Sequence, residues 1–311
     1  MSHIYILSPS SSVLDKAAYK RGITRLMAQG HTLEIDQDVL SRSTRFAGDD
    51  VQRLSAIKRA AASGADVVMT TRGGYGISRL LGQLPYKAIA KSIDKGTQWV
   101  GFSDVTALSL AVMAQTGRST WAGPALIEDF GRADADGGID EITLACFDDV
   151  ISGMAEGTGW RIGKDDPTEF GYQDLTLWGG NLSMVCSMVG TPYLPKVSNG
   201  ALFLEDVAEP PYRVERMLTQ LLHAGVLAQQ KVIMLGAFNR FTASSQDKGF
   251  AMKTVVQWLR ANTKARVLTQ LPHGHVNTKV MLPVGKTVDV MVQAKEALVF
   301  WSHDHSDTDS N

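Results

Sequence analysis

The segment Gly101-Phe102-Ser103-Asp104-Val105-Thr106 sets a serine between a short apolar run, Trp99 to Gly101, and a helical pattern, Val105 to Gln115. A serine on a tight strand-to-helix turn projects its hydroxyl from the carboxyl end of a sheet. The amide that follows it then lies at a helix N-terminus, where it can hold an oxyanion. That is the placement of a nucleophile for acyl transfer. The usual elbow has glycine two residues after the serine, and here that position is Val105. A second reading therefore stands beside the first: Ser103 or Asp104 caps the helix that begins at Val105.

A serine nucleophile needs a base to take its proton, and the base needs a carboxylate to fix its tautomer. Of the seven histidines, His3 opens a strand pattern, His31 follows a helix end, His223 lies within a helix, and His303 and His305 fall in a polar tail. His273 and His275 remain, in Leu271-Pro272-His273-Gly274-His275, a loop after the strand pattern Arg266 to Thr269. Their spacing also suits a metal pair, but no third ligand with convincing spacing is nearby. The acid is sought at the end of Ala201-Leu202-Phe203-Leu204-Glu205-Asp206, an apolar run closing on two carboxylates, either of which could instead pair locally. The chain order serine, acid, histidine is also that of α/β hydrolases.

Two glycine-rich segments complete the set. Arg72-Gly73-Gly74-Tyr75-Gly76 follows a strand pattern, and such a loop lets backbone amides approach a ligand or supply a second oxyanion donor. Gly73, Gly74 and Tyr75 are therefore expected beside substrate, with the amide of Asp104 as the first oxyanion donor. The loop lacks the Lys-Ser/Thr ending of a nucleotide loop and the spacing of a dinucleotide fingerprint, so no cofactor is expected. Trp178-Gly179-Gly180-Asn181 opens a helical pattern and is expected to face the same cleft, placing Trp178 at the substrate. Arg213 and Arg216 read as solvated helix charges.

The elements that must position these residues alternate. Ile4 to Leu7, Thr32 to Ile35, Asp66 to Thr70 and Trp99 to Gly101 read as strands, separated by helical patterns from Val13 to Ala28 and from Asp49 to Ala62. This is the pattern of βα units around a parallel sheet. A helical pattern near Ile139 to Ile151 lies in a Gly- and Asp-rich region. Beyond it come Asn181 to Val189 (helix), Pro211 to His223 (helix), Val232 to Gly236 (strand), Phe250 to Thr263 (helix) and short β-like runs from Arg266 to Trp301. The expectation is an N-terminal α/β domain over 1–150, a connection over 151–173, a smaller β-rich domain over 174–302, and a disordered tail over 303–311.

Composition limits the function. In 311 residues, 31 Lys and Arg face 32 Asp and Glu, so no summed field favours nucleic acid or an anionic membrane. The substrate is expected to be small. The first residues do not read as a secretory signal and no window is apolar enough to span a bilayer, which points to the cytoplasm. Cys146 and Cys186 sit in apolar surroundings and are expected to be inert thiols.

Arg72-Gly73-Gly74-Tyr75-Gly76, Gly101-Phe102-Ser103-Asp104, Trp178-Gly179-Gly180-Asn181-Leu182, Leu204-Glu205-Asp206 and Gly274-His275, in this order, resemble the LD-carboxypeptidase family of serine peptidases. Arg45-Phe46-Ala47-Gly48 and Arg213-Val214-Glu215-Arg216-Met217-Leu218 extend the likeness over nearly the whole chain. The resemblance implies a triad of Ser103, Glu205 and His275. It selects His275 over His273 because the family's histidine follows a glycine, and Glu205 over Asp206. It further implies a flavodoxin-like or amidotransferase-like N-terminal domain, a triad assembled across the domain interface, and a cytoplasmic homodimer without metal or cofactor. The implied reaction releases terminal D-alanine from the murein tetrapeptide during cell-wall recycling. A related hydrolase of peptide-nucleotide antibiotics, of the microcin C self-immunity type, would carry the same triad. A non-catalytic muropeptide-binding protein is a third reading.

Overall fold

Alternating apolar runs and helical stretches fold in a computed structural model that describes residues 1–301. The expected disordered tail, 303–311, lies outside the described residues. The first half runs β1 (His3–Leu7), α1 (Lys16–Ala28), β2 (Thr32–Ile35), α2 (Asp50–Ala62), β3 (Val67–Thr70), α3 (Tyr86–Asp94), β4 (Gln98–Gly101), α4 (Val105–Thr116), β5 (Thr120–Ala122) and α5 (Glu141–Ser152). The second half runs β6 (Gly157–Arg161), β7 (Phe170–Asn181), α6 (Leu182–Ser187), β8 (Gly200–Val207), α7 (Pro211–His223), β9 (Gln230–Asn239), α8 (Met252–Asn262), β10 (Arg266–Leu268), β11 (Leu282–Val284), β12 (Thr287–Gln293) and β13 (Glu296–Phe300).

Local chemistry fixes several boundaries. Asp15 accepts from the Ala18 amide and starts α1 three residues later than the apolar pattern suggests. Asp49 and Gln52 form a reciprocal capping box at α2. Gly117, at φ 69°, lets the chain leave α4 in the left-handed region.

The first sheet has the order β11-β5-β4-β3-β1-β2, parallel from β5 to β2. Read from the other edge, β2-β1-β3-β4-β5 is the doubly wound flavodoxin order, in which ligands gather at the carboxyl ends of the strands. The second sheet runs β10-β9-β8-β7-β12-β13-β6. Its β7 to β10 are parallel and linked by helices, while β12, β13 and β6 are antiparallel. The architecture is α/β in two units, as expected.

The segment 151–173 is more than a connection. It holds β6 and the start of β7, both paired in the second sheet. Its glycines read as loop in the sequence, yet Gly157 and Gly159 lie where any side chain would meet the backbone of β13. Conversely, β11 leaves the second unit and pairs antiparallel with β5, so the last third of the chain closes the edge of the first sheet.

Helix α4 joins the two units. Every residue from Val105 to Val112 is buried, because the helix packs on the first sheet and also against α6 and β7. A helix enclosed on all sides cannot carry an amphipathic stripe, and α4 has none. Its first turn is therefore held firmly, and Ser103 sits just before it.

Candidate active site

Ser103 lies at the carboxyl end of β4 with φ 63°, a left-handed conformation that costs a non-glycine residue about 1–3 kcal/mol. This strained turn has the geometry expected of a nucleophile elbow. The departure at Val105 has a structural answer two residues before the serine. A Cβ built on Gly101 would lie 2.8 Å from Val105 Cγ1, so Gly101 provides the room that glycine after the serine usually provides. The capping reading fails, because α4 has no side-chain cap. Asp104 instead accepts from Ser10 Oγ at 2.5 Å and from the Ile77 amide at 2.9 Å, tying the elbow to the glycine-rich loop. Burial raises its carboxyl above the usual range against these hydrogen bonds.

That loop, 72–76, follows β3, the neighbour of β4. A Cβ on Gly73 would fall 2.8 Å from Ser103 Oγ and 3.2 Å from the Asp104 nitrogen, so this glycine backbone borders both nucleophile and expected oxyanion site. A Cβ on Gly74 would instead meet Ser11 Oγ, 2.2 Å away, so this glycine makes room for Ser11. Tyr75 is 42% exposed and leans on Phe46, with the Arg45 guanidinium above it at 5.9 Å.

The candidate acid and base come from the second unit. Glu205 and Asp206 end the buried run of β8, where a register shift against β9 between Leu204 and Asp206 redirects the chain. Glu205 Oε2 meets His275 Nδ1 at 2.8 Å, and Glu205 Oε1 accepts from Asn181 Nδ2 at 3.1 Å. The carboxylate side chain is 1% exposed and the imidazole 14%. Gly274 makes the approach possible, since at φ 115° it takes a conformation L side chains avoid, and a Cβ there would lie 2.7 Å from Glu205 Oε2. The His275 ring rests on Phe102, centroids 5.1 Å apart, beside the serine. Acid and base are thus in contact. Among the described residues no hydrogen bond joins Ser103 Oγ to His275, and catalytic contacts of this kind commonly tighten only when substrate is bound.

The neighbours of the pair have other work. Asp206 accepts from the Ser183 amide and hydroxyl, from Asn181 and from its neighbour Val207, so its oxygens are used locally. His273 is buried against Phe203 with Nδ1 3.1 Å from the Val280 carbonyl, and burial lowers its pKa. No metal-holding group of three or more His, Cys, Asp or Glu occurs among the described residues. Trp178 is corrected from a substrate contact to a core residue: it is wholly buried and its indole N–H donates to Gln230 Oε1 at 2.9 Å. The tryptophan's apolar bulk suits β7, and the same motif reaches the site through Asn181 instead.

Beyond His275 opens a cavity of about 500 Å³ lined by Phe102, Glu128, Arg132, Arg240, Asn277 and Lys279, among others. Glu128 and Asp129 sit on a π-helical turn, Leu126–Phe130, after β5. Lys279, fully buried, donates to Asp129 Oδ1 at 2.5 Å and to the Val276 carbonyl at 2.7 Å, pinning the histidine loop to the first unit. Sequence reasoning missed Asn181 as a support for the acid, and missed Glu128, Asp129 and Lys279. Asn181 carried a signal as the residue heading α6. Glu128 and Asp129 follow a three-residue strand too short to announce itself, and Lys279 lies in the loop between His275 and β11.

Family models described as the LD-carboxypeptidase N-terminal domain and C-terminal domain match residues 4–123 and 176–290. The chain belongs to the LD-carboxypeptidase family. Its structure is similar to that of muramoyltetrapeptide carboxypeptidase from Oxalobacter formigenes, with TM-score 0.87, 36% identity, and 97% of this chain and 99% of that one covered. A Bacillus subtilis protein named "Probable murein peptide carboxypeptidase" is 26% identical over 82% of this chain and 78% of its own. The microcin C7 self immunity protein MccF shares the fold, with TM-score 0.84 at 22% identity over 97% of this chain and 96% of that one. The family supports carboxypeptidase activity for this chain, a hydrolysis at the end of a peptide. No helix among the described residues is long and apolar enough to cross a membrane.

Proposed function

We propose that this protein is a serine carboxypeptidase that hydrolyses the L,D-peptide bond and releases terminal D-alanine from the murein tetrapeptide, in cytoplasmic cell-wall recycling. The observation that carries the reading is the 2.8 Å contact of His275 Nδ1 with Glu205, brought beside a serine in the left-handed turn at the head of α4. With Nδ1 committed to the carboxylate, Nε2 is the nitrogen left to act as base.

In this reading His275 takes the proton of Ser103, whose oxygen adds to the peptide carbonyl carbon. The oxyanion is held by the Asp104 amide at the helix terminus and by backbone of the Gly73 turn, each donor contributing roughly 3 to 4 kcal/mol in enzymes where one was removed. His275 then gives the proton to the departing nitrogen, D-alanine leaves, and water, deprotonated by the same imidazole, releases the acyl group. Glu205 keeps the tautomer and stabilises the imidazolium. The working form is a homodimer that needs no cofactor, and the partner is a small peptide.

The 36% identity to a muramoyltetrapeptide carboxypeptidase over almost the full chain supports this substrate above a peptide-nucleotide. The test offers the purified protein the tetrapeptide, its isomer with terminal L-alanine, and an aspartyl-adenylate analogue of the antibiotic. Release of D-alanine from the first alone is expected. Turnover of the analogue alone would replace the substrate assignment while keeping the chemistry.

A further inference from the structure

Arg72 stands directly before Gly73, where a side chain would fall 2.8 Å from Ser103 Oγ, and just past the carboxyl end of β3 beside β4. Its side chain is 28% exposed and makes no hydrogen bond to protein among the described residues. Among the described residues its one ion-pair partner is Glu128, on the π-helical turn after β5, with Arg72 Nε 3.5 Å from Glu128 Oε1. Arg72 Nε and Glu128 Oε2 are both buried polar atoms without a hydrogen-bond partner. Arginine and glutamate thus flank the nucleophile from the two strands on either side of it. Buried polar atoms left unsatisfied in this way are uncommon in a folded protein.

The other cations of the cleft differ. Arg132 is engaged by the carbonyls of Gly138 and Asn277 and by Asp129, and Lys279 by Asp129 and Val276. Arg240 lines the same cavity but is exposed. Arg72 is the cation with donors free next to the serine. Glu128 approaches it from the Nε side, which leaves the paired terminal nitrogens as a fork matched to a carboxylate.

An enzyme that removes only the last residue of a peptide must sense the terminal carboxylate, whose carbon is three bonds from the attacked carbonyl carbon. We propose that Arg72, oriented by Glu128, binds the terminal carboxylate of the departing residue and thereby restricts cleavage to chain ends. This inference rests on the carboxypeptidase reading above and adds to it the residue that reads the chain end.

The test separates the two. In a Ser103→Ala background, which removes turnover, binding of the tetrapeptide acid and of its terminal amide is measured by calorimetry, with and without Arg72→Met. The acid is expected to bind roughly 10- to 100-fold more tightly than the amide, as for a hydrogen-bonded charge pair, and Arg72→Met is expected to bring the two within about 2-fold. Arg72→Lys, which keeps the charge but not the fork, should retain part of the preference. An acid preference unchanged by Arg72→Met overturns the inference and leaves the carboxypeptidase reading intact. Failure of the Ser103→Ala protein to bind either ligand, with wild type releasing no D-alanine, overturns the reading itself. Thermal unfolding of each variant confirms that a folded protein is being titrated.

Discussion

Glu205 spends its two carboxylate oxygens differently, one on the base and one on Asn181. The amide of Asn181 bridges Glu205 and Asp206, two acids adjacent in sequence and both buried. Asn181→Ala would leave Glu205 Oε1 without its donor, while Asp206 Oδ1 keeps the Val207 amide, at a cost of about 1.5–3 kcal/mol for a hydrogen bond to a charged group. The expected result is a lower urea midpoint together with a kcat reduced by roughly 10-fold, the lower end of what loss of a supporting hydrogen bond does. An unchanged kcat would show that His275 is oriented without it. Gly274 invites a complementary change. Gly274→Ala adds a methyl 2.7 Å from Glu205 Oε2 in a conformation that disfavours it, so activity is expected to fall more than stability, measured by kcat and by thermal midpoint.

Lys279 and Asp129 form a buried ion pair between the loop that carries the base and the turn after β5. Lys279→Met leaves the buried Asp129 carboxylate with only the longer 3.6 Å approach of Arg132 and the Ala125 amide, and is expected to lower the unfolding free energy by up to about 3–5 kcal/mol. Lys279→Met with Asp129→Asn is expected to recover part of that loss in urea titrations, because the neutral amide no longer needs a counter-charge. Equal losses in the single and double variants would mean the pair acts through packing alone. The pair was not legible in the sequence, since nothing in Leu126 to Phe130 or in Thr278 to Val280 marks a contact across 150 residues. By contrast, β1 to β4 and the helices α1, α2 and α4 were legible to within a few residues, because each has its own apolar run and α1 and α2 a capping residue as well, whereas α3, which has no side-chain cap, was missed. β5, β6, β7 and β11 were missed or shortened: β5 and β11 are only three residues long, and β6 and β7 carry glycines that read as loop. Ser103 was legible only as an imperfect elbow, because the compensating residue, Gly101, lies on the opposite side of the serine from the usual one. Trp178 was misplaced for the opposite reason. A motif conveys which residues act together, and the sheet then decides which side chains face the cleft and which face the core.

The molecule divides the site between its units: the first brings the serine and the glycine-rich turn, the second the acid and base. β11, α4 and the Lys279–Asp129 pair hold the halves in register. The histidine loop passes through this seam, and His273 is buried in it with a lowered pKa caused mainly by desolvation. Below about pH 6.5 the unfolded chain takes up a proton at this position that the folded chain resists, so the contribution of His273 to stability is complete above that value and lost as pH falls. Wild type is therefore expected to lose unfolding free energy more steeply than His273→Asn between about pH 7.5 and 5.5, in urea titrations at stepped pH. Parallel curves would mean that His273 titrates as it does in water.

The whole arrangement converges on one hydroxyl. Single-turnover and steady-state release of D-alanine from the murein tetrapeptide, by wild type and by Ser103→Ala, tests it with the fewest intermediate assumptions. A loss of at least roughly 1,000-fold in kcat is expected for removal of a nucleophile from such a triad, with the fold intact. Turnover by Ser103→Ala within a few-fold of wild type would show that the strained serine at the head of α4 is not the residue that attacks.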